Sequence, residues 1–261
     1  MNKLSVVIPS RNEPYLQKTI DSLLTSAMGE IEVIVVLDGY WPDPPIESNS
    51  KVTLIHFSEP RGMRAAINAG ARLAKGKYLM KCDAHCTFAE GFDIELAKSC
   101  RHDWTVVPQR YDANDNFEET QKVCSFEYIN LPSFKGKKWP EYEKRAGDKP
   151  LAELMTFQGS CWFMFLDRFW FYEGLDEVNY GMMGREAQEV SLKTWLSGGR
   201  LLLNRNTWYA HWSKPNSHYP GRAEAKEKSI AYCKELWLNN KWPLQVRTLA
   251  WLVERFAPVP G

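Results

Sequence analysis

RGMRAAINAGARLAKGKYLMKCDAHC, residues 61–86, contains an alanine-rich helix, a stop, and a short apolar strand that ends on Asp83-Ala84-His85. Met63 to Ala74 reads as the helix. Lys75-Gly76 closes it, because glycine past a last turn accepts the backbone that a helix end requires. Lys77 to Cys82 reads as the strand. Upstream, Leu4 to Pro9 is a continuous apolar run halted by a Pro-Ser-Arg-Asn turn, the pattern of a strand buried on both faces. Pro14 to Ser26 sets Leu16, Ile20, Leu23 and Leu24 on one helical face, with Pro14 in the first turn. Ile31 to Leu37, ending at Asp38-Gly39, and Val52 to Phe57 are two further β-branched runs. Strand, helix, strand, strand, helix, strand predicts an α/β fold with a mostly parallel central sheet flanked by helices.

Downstream, Gly91 to Arg101 reads as a helix and Trp104 to Pro108 as a strand. Residues 110–150 are polar and irregular, with Pro132, Gly136, Pro140, Gly147 and Pro150. Thr156 to Leu166 reads as a strand, and Glu186 to Leu196 as a helix stopped by Gly198-Gly199. Leu201 to Leu203 and Thr207 to Trp212 read as short strands, and Ala223 to Leu238 and Leu244 to Phe256 as terminal helices.

The chain has 261 residues, 44% of them hydrophobic, enough for a substantial core. A formal net charge of +1 gives no global pull toward nucleic acid, so any basic surface is local. The six cysteines form no Cys-x-x-Cys pair; free thiols in a reducing compartment account for them. The opening MNKLSVVIPSRNEP has too short an apolar run for a signal peptide, and no stretch has the length of a membrane span. The expectation is a cytoplasmic protein.

In a parallel sheet, ligands sit beyond the carboxyl ends of the strands. Ser10, Arg11, Asp38, Asp83 and His85 all fall at such ends. Asp83 and His85 offer a hard oxygen and an imidazole nitrogen two residues apart, a pair able to hold a divalent cation with positions left for phosphate oxygens. The same pair also suits an Asp capping a turn beside a packed His; placement after the fourth strand favours the metal. His211 shares a strand face with Tyr209 and becomes a candidate third ligand. Glu186 and Glu189 open a helix on one face, where acids suit the helix dipole or where a carboxylate can meet a sugar hydroxyl or take a proton.

Taken together, SVVIPSRNE, VIVVLDG, residues 61–86, GREAQEVSLKTWLSGG and the later His211 resemble glycosyltransferases of the GT-A fold. The resemblance covers most of residues 4–214. It extends to the broad family 2 and, more closely, to the polypeptide N-acetylgalactosaminyltransferases. It implies a Rossmann-like nucleotide-diphospho-sugar transferase fold and transfer of a sugar from a UDP-sugar to an acceptor hydroxyl. Residues 1–221 would form the catalytic domain, with 1–108 the nucleotide-binding half and 109–221 the acceptor half, and 222–261 a helical extension. By the same resemblance Ser10 and Arg11 would lie by the nucleoside, with Glu13 close behind, and Asp38 would bond the uracil. Gly62 would let the backbone approach the nucleotide, with Arg61 or Arg64 near it. Asp83, His85 and His211 would bind Mn²⁺ or Mg²⁺. Lys214 would contact the diphosphate, Tyr219 would belong to a lid over the donor, and Glu186 would sit at the sugar end as the catalytic carboxylate.

The resemblance has two departures. Many inverting family 2 enzymes carry Glu-Asp where this chain has Glu186-Ala187, and Ala187 cannot be a base. Either Glu186 takes that role or configuration is retained; retention is the favoured reading. The chain also shows neither a lectin domain nor a membrane anchor, so the acceptor stays open among a hydroxymethylated DNA base, a glycan and a protein. Basic and aromatic residues interleave after Gly199, from Arg200 and Arg205 to Trp237 and Trp242, and would serve either as a nucleic-acid surface or as a solvated face over an aromatic core. A binding module without catalysis is the alternative function. A sugar nucleotidyltransferase fits less well, because Ser10-Arg11-Asn12-Glu13 is no glycine-rich phosphate loop.

Overall fold

The computed structural model describes residues 3–182, 184–213 and 222–260. In its first half, strands β1 (Leu4–Ser10), β2 (Ile31–Asp38), β3 (Val52–Phe57), β4 (Tyr78–Cys82), β5 (Cys86–Phe88) and β6 (Trp104–Ala113) alternate with helices α1 (Leu16–Ser26), α2 (Met63–Leu73) and α3 (Phe92–Ser99). The second half adds β7 (Glu119–Lys122), β8 (Glu127–Asn130), β9 (Lys135–Lys138), β10 (Leu151–Glu153), β11 (Cys161–Phe165) and β12 (Arg200–Trp212). Its helices are α4 (Pro140–Ala146), α5 (Leu166–Phe171), α6 (Glu186–Leu196), α7 (Arg222–Cys233) and α8 (Leu249–Phe256), with a π-helical turn at Lys234–Leu238.

The central sheet runs β10-β12-β6-β11-β4-β1-β2-β3. β1 pairs in parallel with β2 and β4, β2 with β3, and β6 with β12. β11 lies antiparallel between β4 and β6 and joins the two parallel groups. The mostly parallel sheet expected from the sequence is therefore present.

Side-chain alternation explains why the strand sequences are continuously apolar. Leu4, Val6 and Ile8 pack on one face with Leu16, Ile20, Leu23, Phe92 and Leu96 of α1 and α3. Val7, Ile34 and Leu79 pack on the other with Ile67 and Ala71 of α2 and Trp195 of α6. Both faces are covered, so neither register of the strand can be polar. Helix α2 lies flat on β1 because Gly70 has no side chain: a Cβ there would stand 2.5 Å from Val7 Cγ1.

The stretch 110–150 is more ordered than its composition predicts. β6 runs on to Ala113, and β7, β8, β9 and α4 follow. All four residues of β7 are exposed, as are three of the four in β9, so these rim strands carry no apolar alternation to read. Within 156–166 only Cys161–Phe165 is strand. Gly159, with φ +92°, turns the chain before it. The two short strands expected after Gly199 form one, β12, with a register shift between Asn204 and Trp208. Asn204 holds that irregularity by donating to Glu95 O and Ser99 Oγ and accepting from the Asn206 N–H. Helix α1 begins at Leu16, after Pro14, and α8 begins at Leu249, where Thr248 caps the Trp251 N–H.

Beyond α7, Trp237, Trp242, Leu249, Leu252 and Phe256 join the core that contains Leu192, Trp195 and Leu196 of α6. All six cysteines are free thiols, five of them buried. Among the described residues, no helix is long and apolar enough to cross a membrane.

Candidate metal centre and donor site

Asp83 leaves the end of β4, and His85 follows just before β5. β5 turns straight back against β12, pairing Cys86 with His211. The Trp212 N–H donates to His85 O at 3.0 Å, fixing the register. This short hairpin-like pairing brings His211 to a motif 126 residues earlier in the chain.

His211 Nε2 lies 3.2 Å from Asp83 Oδ2 and 3.1 Å from His85 Nε2; His85 Nε2 stands 4.0 Å from the same Asp83 oxygen. Metal–ligand bonds of about 2.1 Å place neighbouring ligand atoms about 3 Å apart. The three atoms therefore fit a divalent cation with little rearrangement, and they form a cluster within 4.8 Å. Glu13 Oε2 meets His85 Nδ1 at 3.0 Å. A carboxylate behind a ring fixes its tautomer and turns the other nitrogen toward a metal. Behind His211, Arg110 approaches Nδ1 at 3.5 Å. Burial lowers the His211 pKa, and His85 and Arg110 add to this against the pull of Asp83, so the ring is held neutral as a ligand must be. Burial opposes the charge on Asp83, but Lys81, His211 and His85 outweigh it and hold its carboxyl well below the ordinary range.

Lys81 points from β4 toward α6. Its ammonium donates to Asp83 Oδ1 at 2.7 Å, Gly159 O at 2.8 Å and Glu186 Oε2 at 3.2 Å. The other Glu186 oxygen accepts Trp162 Nε1–H at 2.5 Å. Burial raises the Glu186 pKa, and Lys81 and Trp162 only partly reverse this. The Lys81 pKa is raised: burial works to lower it, but Asp83 and Glu186 outweigh burial.

The other expected donor residues divide into two groups. Ser10 Oγ contacts the Tyr40 hydroxyl, and Arg11 donates to Asp38 O at 3.0 Å. Asn12, Glu13, Tyr40, Trp41 and Asp43 line a cleft of about 320 Å³; Glu13 thus links this cleft to His85. Asp38, expected at the base, is fully buried here, and its two oxygens accept the N–H groups of Arg61 and Gly62. It braces the entry to α2. Gly62 has φ +94°, and a Cβ on it would lie 2.7 Å from Met182 Cα. Arg61 is exposed, over the Phe57 ring and 3.7 Å from Glu177. Arg64, expected near the nucleotide as its alternative, is instead buried beneath α6: it pairs with Glu189, donates to Gly184 O and covers the Tyr180 ring. From the first turn of α2 the guanidinium reaches the acids that open α6. Lys214 and Tyr219 lie outside the described residues.

Sequence reasoning missed Lys81, Arg110, Trp162 and Tyr40. Lys81 alone carried a signal: it is a charge inside an apolar strand, which demands a buried anion.

The sequence pattern of Glycosyl transferase family 2 matches residues 5–172. The chain belongs to that family. Among curated family relatives, polypeptide N-acetylgalactosaminyltransferase 5 of Caenorhabditis elegans is 24% identical over 91% of this chain and 42% of its own length. Polypeptide N-acetylgalactosaminyltransferase 3 of Homo sapiens is 24% identical over 90% and 41%. The chain thus spans less than half the length of these relatives. The crystal structure of GalNAc-T7 with UDP, GalNAc and Mn²⁺ superposes with a TM-score of 0.76 at 21% identity, covering 91% of this chain and 49% of that one. The structure of S. aureus TarS 1-349 in complex with UDP-GlcNAc gives 0.62 at 14%, covering 88% and 66%. These likenesses place the family member in the GT-A fold.

Proposed function

We propose that the protein is a metal-dependent glycosyltransferase that moves a sugar from a UDP-sugar to an acceptor hydroxyl. The convergence of Asp83 Oδ2, His85 Nε2 and His211 Nε2 at the carboxyl ends of the sheet, with Glu13 behind His85, carries this reading. The complexes of GalNAc-T7 with UDP, GalNAc and Mn²⁺ and of TarS with UDP-GlcNAc support the donor class. Bound Mn²⁺ or Mg²⁺ would neutralise charge on the departing nucleoside diphosphate.

The chain's own residues orient the donor. Asp38 ties down Arg61 and Gly62, and the side-chain-free Gly62 lets the backbone of Met182 pack against the α2 entry beside the donor cleft. The cleft beside Tyr40 and Trp41 suits the nucleoside, with flat aromatic faces for a base or ribose. Glu186 would face the sugar end. Its oxygens already accept from Lys81 and Trp162, and Ala187 offers no proton acceptor. The acceptor proton would then pass to the leaving phosphate oxygen on the face of attack, with retention of configuration.

The acceptor is a hydroxyl on a modified DNA base, a glycan or a protein. Five of the basic and aromatic residues after Gly199 are engaged within the protein. Trp237 and Trp242 are buried, Arg205 donates to Gly147 O and Lys149 O, Arg247 to Gly199 O, and Arg200 pairs with Glu153.

The test is donor hydrolysis: a panel of UDP-sugars, with Mn²⁺ or EDTA, beside Asp83→Ala, reading released UDP. Slow release that requires both the cation and Asp83 is expected, with Asp83→Ala at least about a hundredfold slower. No release from any donor would leave a binding module. Mass spectrometry of reactions with hydroxymethylated DNA, glycans and peptides would then identify the acceptor.

A further inference from the structure

Lys81 is the most unusual residue in the sheet. Its side chain is 1% exposed, inside the run Tyr-Leu-Met-Lys-Cys. Strand alternation puts it on the same face as Leu79, looking at α6, while Tyr78, Met80 and Cys82 look toward α1 and α3. A buried ammonium is tolerated only when anions and hydrogen bonds replace its water. All three of its N–H groups are taken, by Asp83, Gly159 and Glu186. It therefore has no donor left for a ligand and acts only through its neighbours.

Its effect on Asp83 is specific. The ammonium holds Oδ1, and Oδ2 alone faces His85 and His211. An ammonium and a divalent cation on the two oxygens of one carboxylate repel each other, and burial strengthens that repulsion. Two carboxylates and one ammonium (Asp83, Glu186, Lys81) leave one net negative charge for a cation that carries two positive ones. The flanking charges on the histidines are of opposite sign, Glu13 behind His85 and Arg110 behind His211. The surplus positive charge is what a diphosphate would neutralise.

We propose that Lys81 is the resident counter-charge of this centre, restricting Asp83 to one metal-facing oxygen so that the divalent cation binds together with the nucleoside diphosphate rather than ahead of it. Lys81 is thus a positioning residue for metal and donor. This inference rests on the metal-dependent donor reading given above.

Calorimetric titration of Mn²⁺ into the full chain, with and without UDP, tests it through binding rather than turnover. The unaltered chain should bind Mn²⁺ weakly alone and at least about tenfold more tightly with UDP. Lys81→Met removes the charge at similar length. It should tighten binding of Mn²⁺ alone by at least about tenfold and shrink the gain from UDP. Glu186→Gln, which keeps the Trp162 contact possible but removes a negative charge, should weaken Mn²⁺ binding. A lysine that merely filled the core would lower stability without tightening the metal. Lys81→Met that binds Mn²⁺ unchanged or more weakly, while folded by circular dichroism, would overturn the proposal. If Lys81→Met does not fold, unchanged or tighter binding in Glu186→Gln would overturn it. If the unaltered chain takes up no Mn²⁺ with or without UDP, the metal reading itself fails and Lys81 loses its role with it.

Discussion

Glu32 closes the amino end of the sheet with one carboxylate. Its Oε1 accepts from Ser5 Oγ at 2.6 Å and from the Lys75 N–H at 2.7 Å, and its Oε2 lies 3.1 Å from Lys3 Nζ. It thereby joins β1, β2 and the exit of α2. Burial works against its charge, but Ser5, Lys75 and Lys3 outweigh it and hold the carboxyl below its ordinary value. A depressed folded value contributes stability that is present above the unfolded value and is lost as pH falls through the folded one. Glu32→Gln should therefore melt at a lower temperature at neutral pH, with the deficit shrinking below about pH 4. Melting curves from pH 3 to 8 check this; a deficit independent of pH would mean the charge is not what matters. At this scale the sequence was legible where a residue ends a strand. Asp83 and His85 stand out because the apolar run stops at them. His211 has no such marker and became a candidate only because Asp83 and His85 need a third partner. The partner of Lys81 could not be read, because Glu186 lies 105 residues further on.

Between elements, the buried Arg64–Glu189 pair links α2 to α6, with both side chains 1% exposed. Lys193 also reaches Glu189, at 2.7 Å. Because α2 carries Gly62 and α6 carries Glu186, this tie would set the distance between the two ends of the proposed donor site. Removing one member of a buried pair leaves the other charged and short of partners. Arg64→Met should cost about 3 kcal/mol in denaturant unfolding, with Lys193 limiting the loss. If Arg64 has only this bracing role, the folded variant should keep its KM for the donor within about threefold. A large rise in KM without loss of stability would return Arg64 to the nucleotide. Helix α6 is legible because the acids that open it and the Gly198-Gly199 stop agree. The rim strands β7 and β9 are not, since a strand with both faces wet shows no alternation. The sequence divides β12 in two because Asn204-Arg205-Asn206 looks like a turn, whereas it is a strand irregularity pinned from α3.

Across the whole molecule, spatial order and chain order diverge. The family pattern ends at residue 172, yet Glu186 and His211 come later. The amino half supplies Asp83 and His85, and the chain must return through β11 and β12 to bring His211 to them. The sheet order could not be read, because a parallel group joined to another through one antiparallel strand leaves no local trace in β11. That arrangement also bears on how the protein is born. β4 has β1 on one side as soon as residue 82 is made, but its other edge must wait for β11, at 161–165. At ribosomal rates of about 5–20 residues per second, the apolar edge stays open for several seconds. An uncovered edge is a template for wrong pairing. Ribosome-bound chains arrested before β11 emerges should be protease-sensitive and prone to self-association, and those arrested after β12 emerges should not. Equal protection at both lengths would show that something else shields β4 during synthesis.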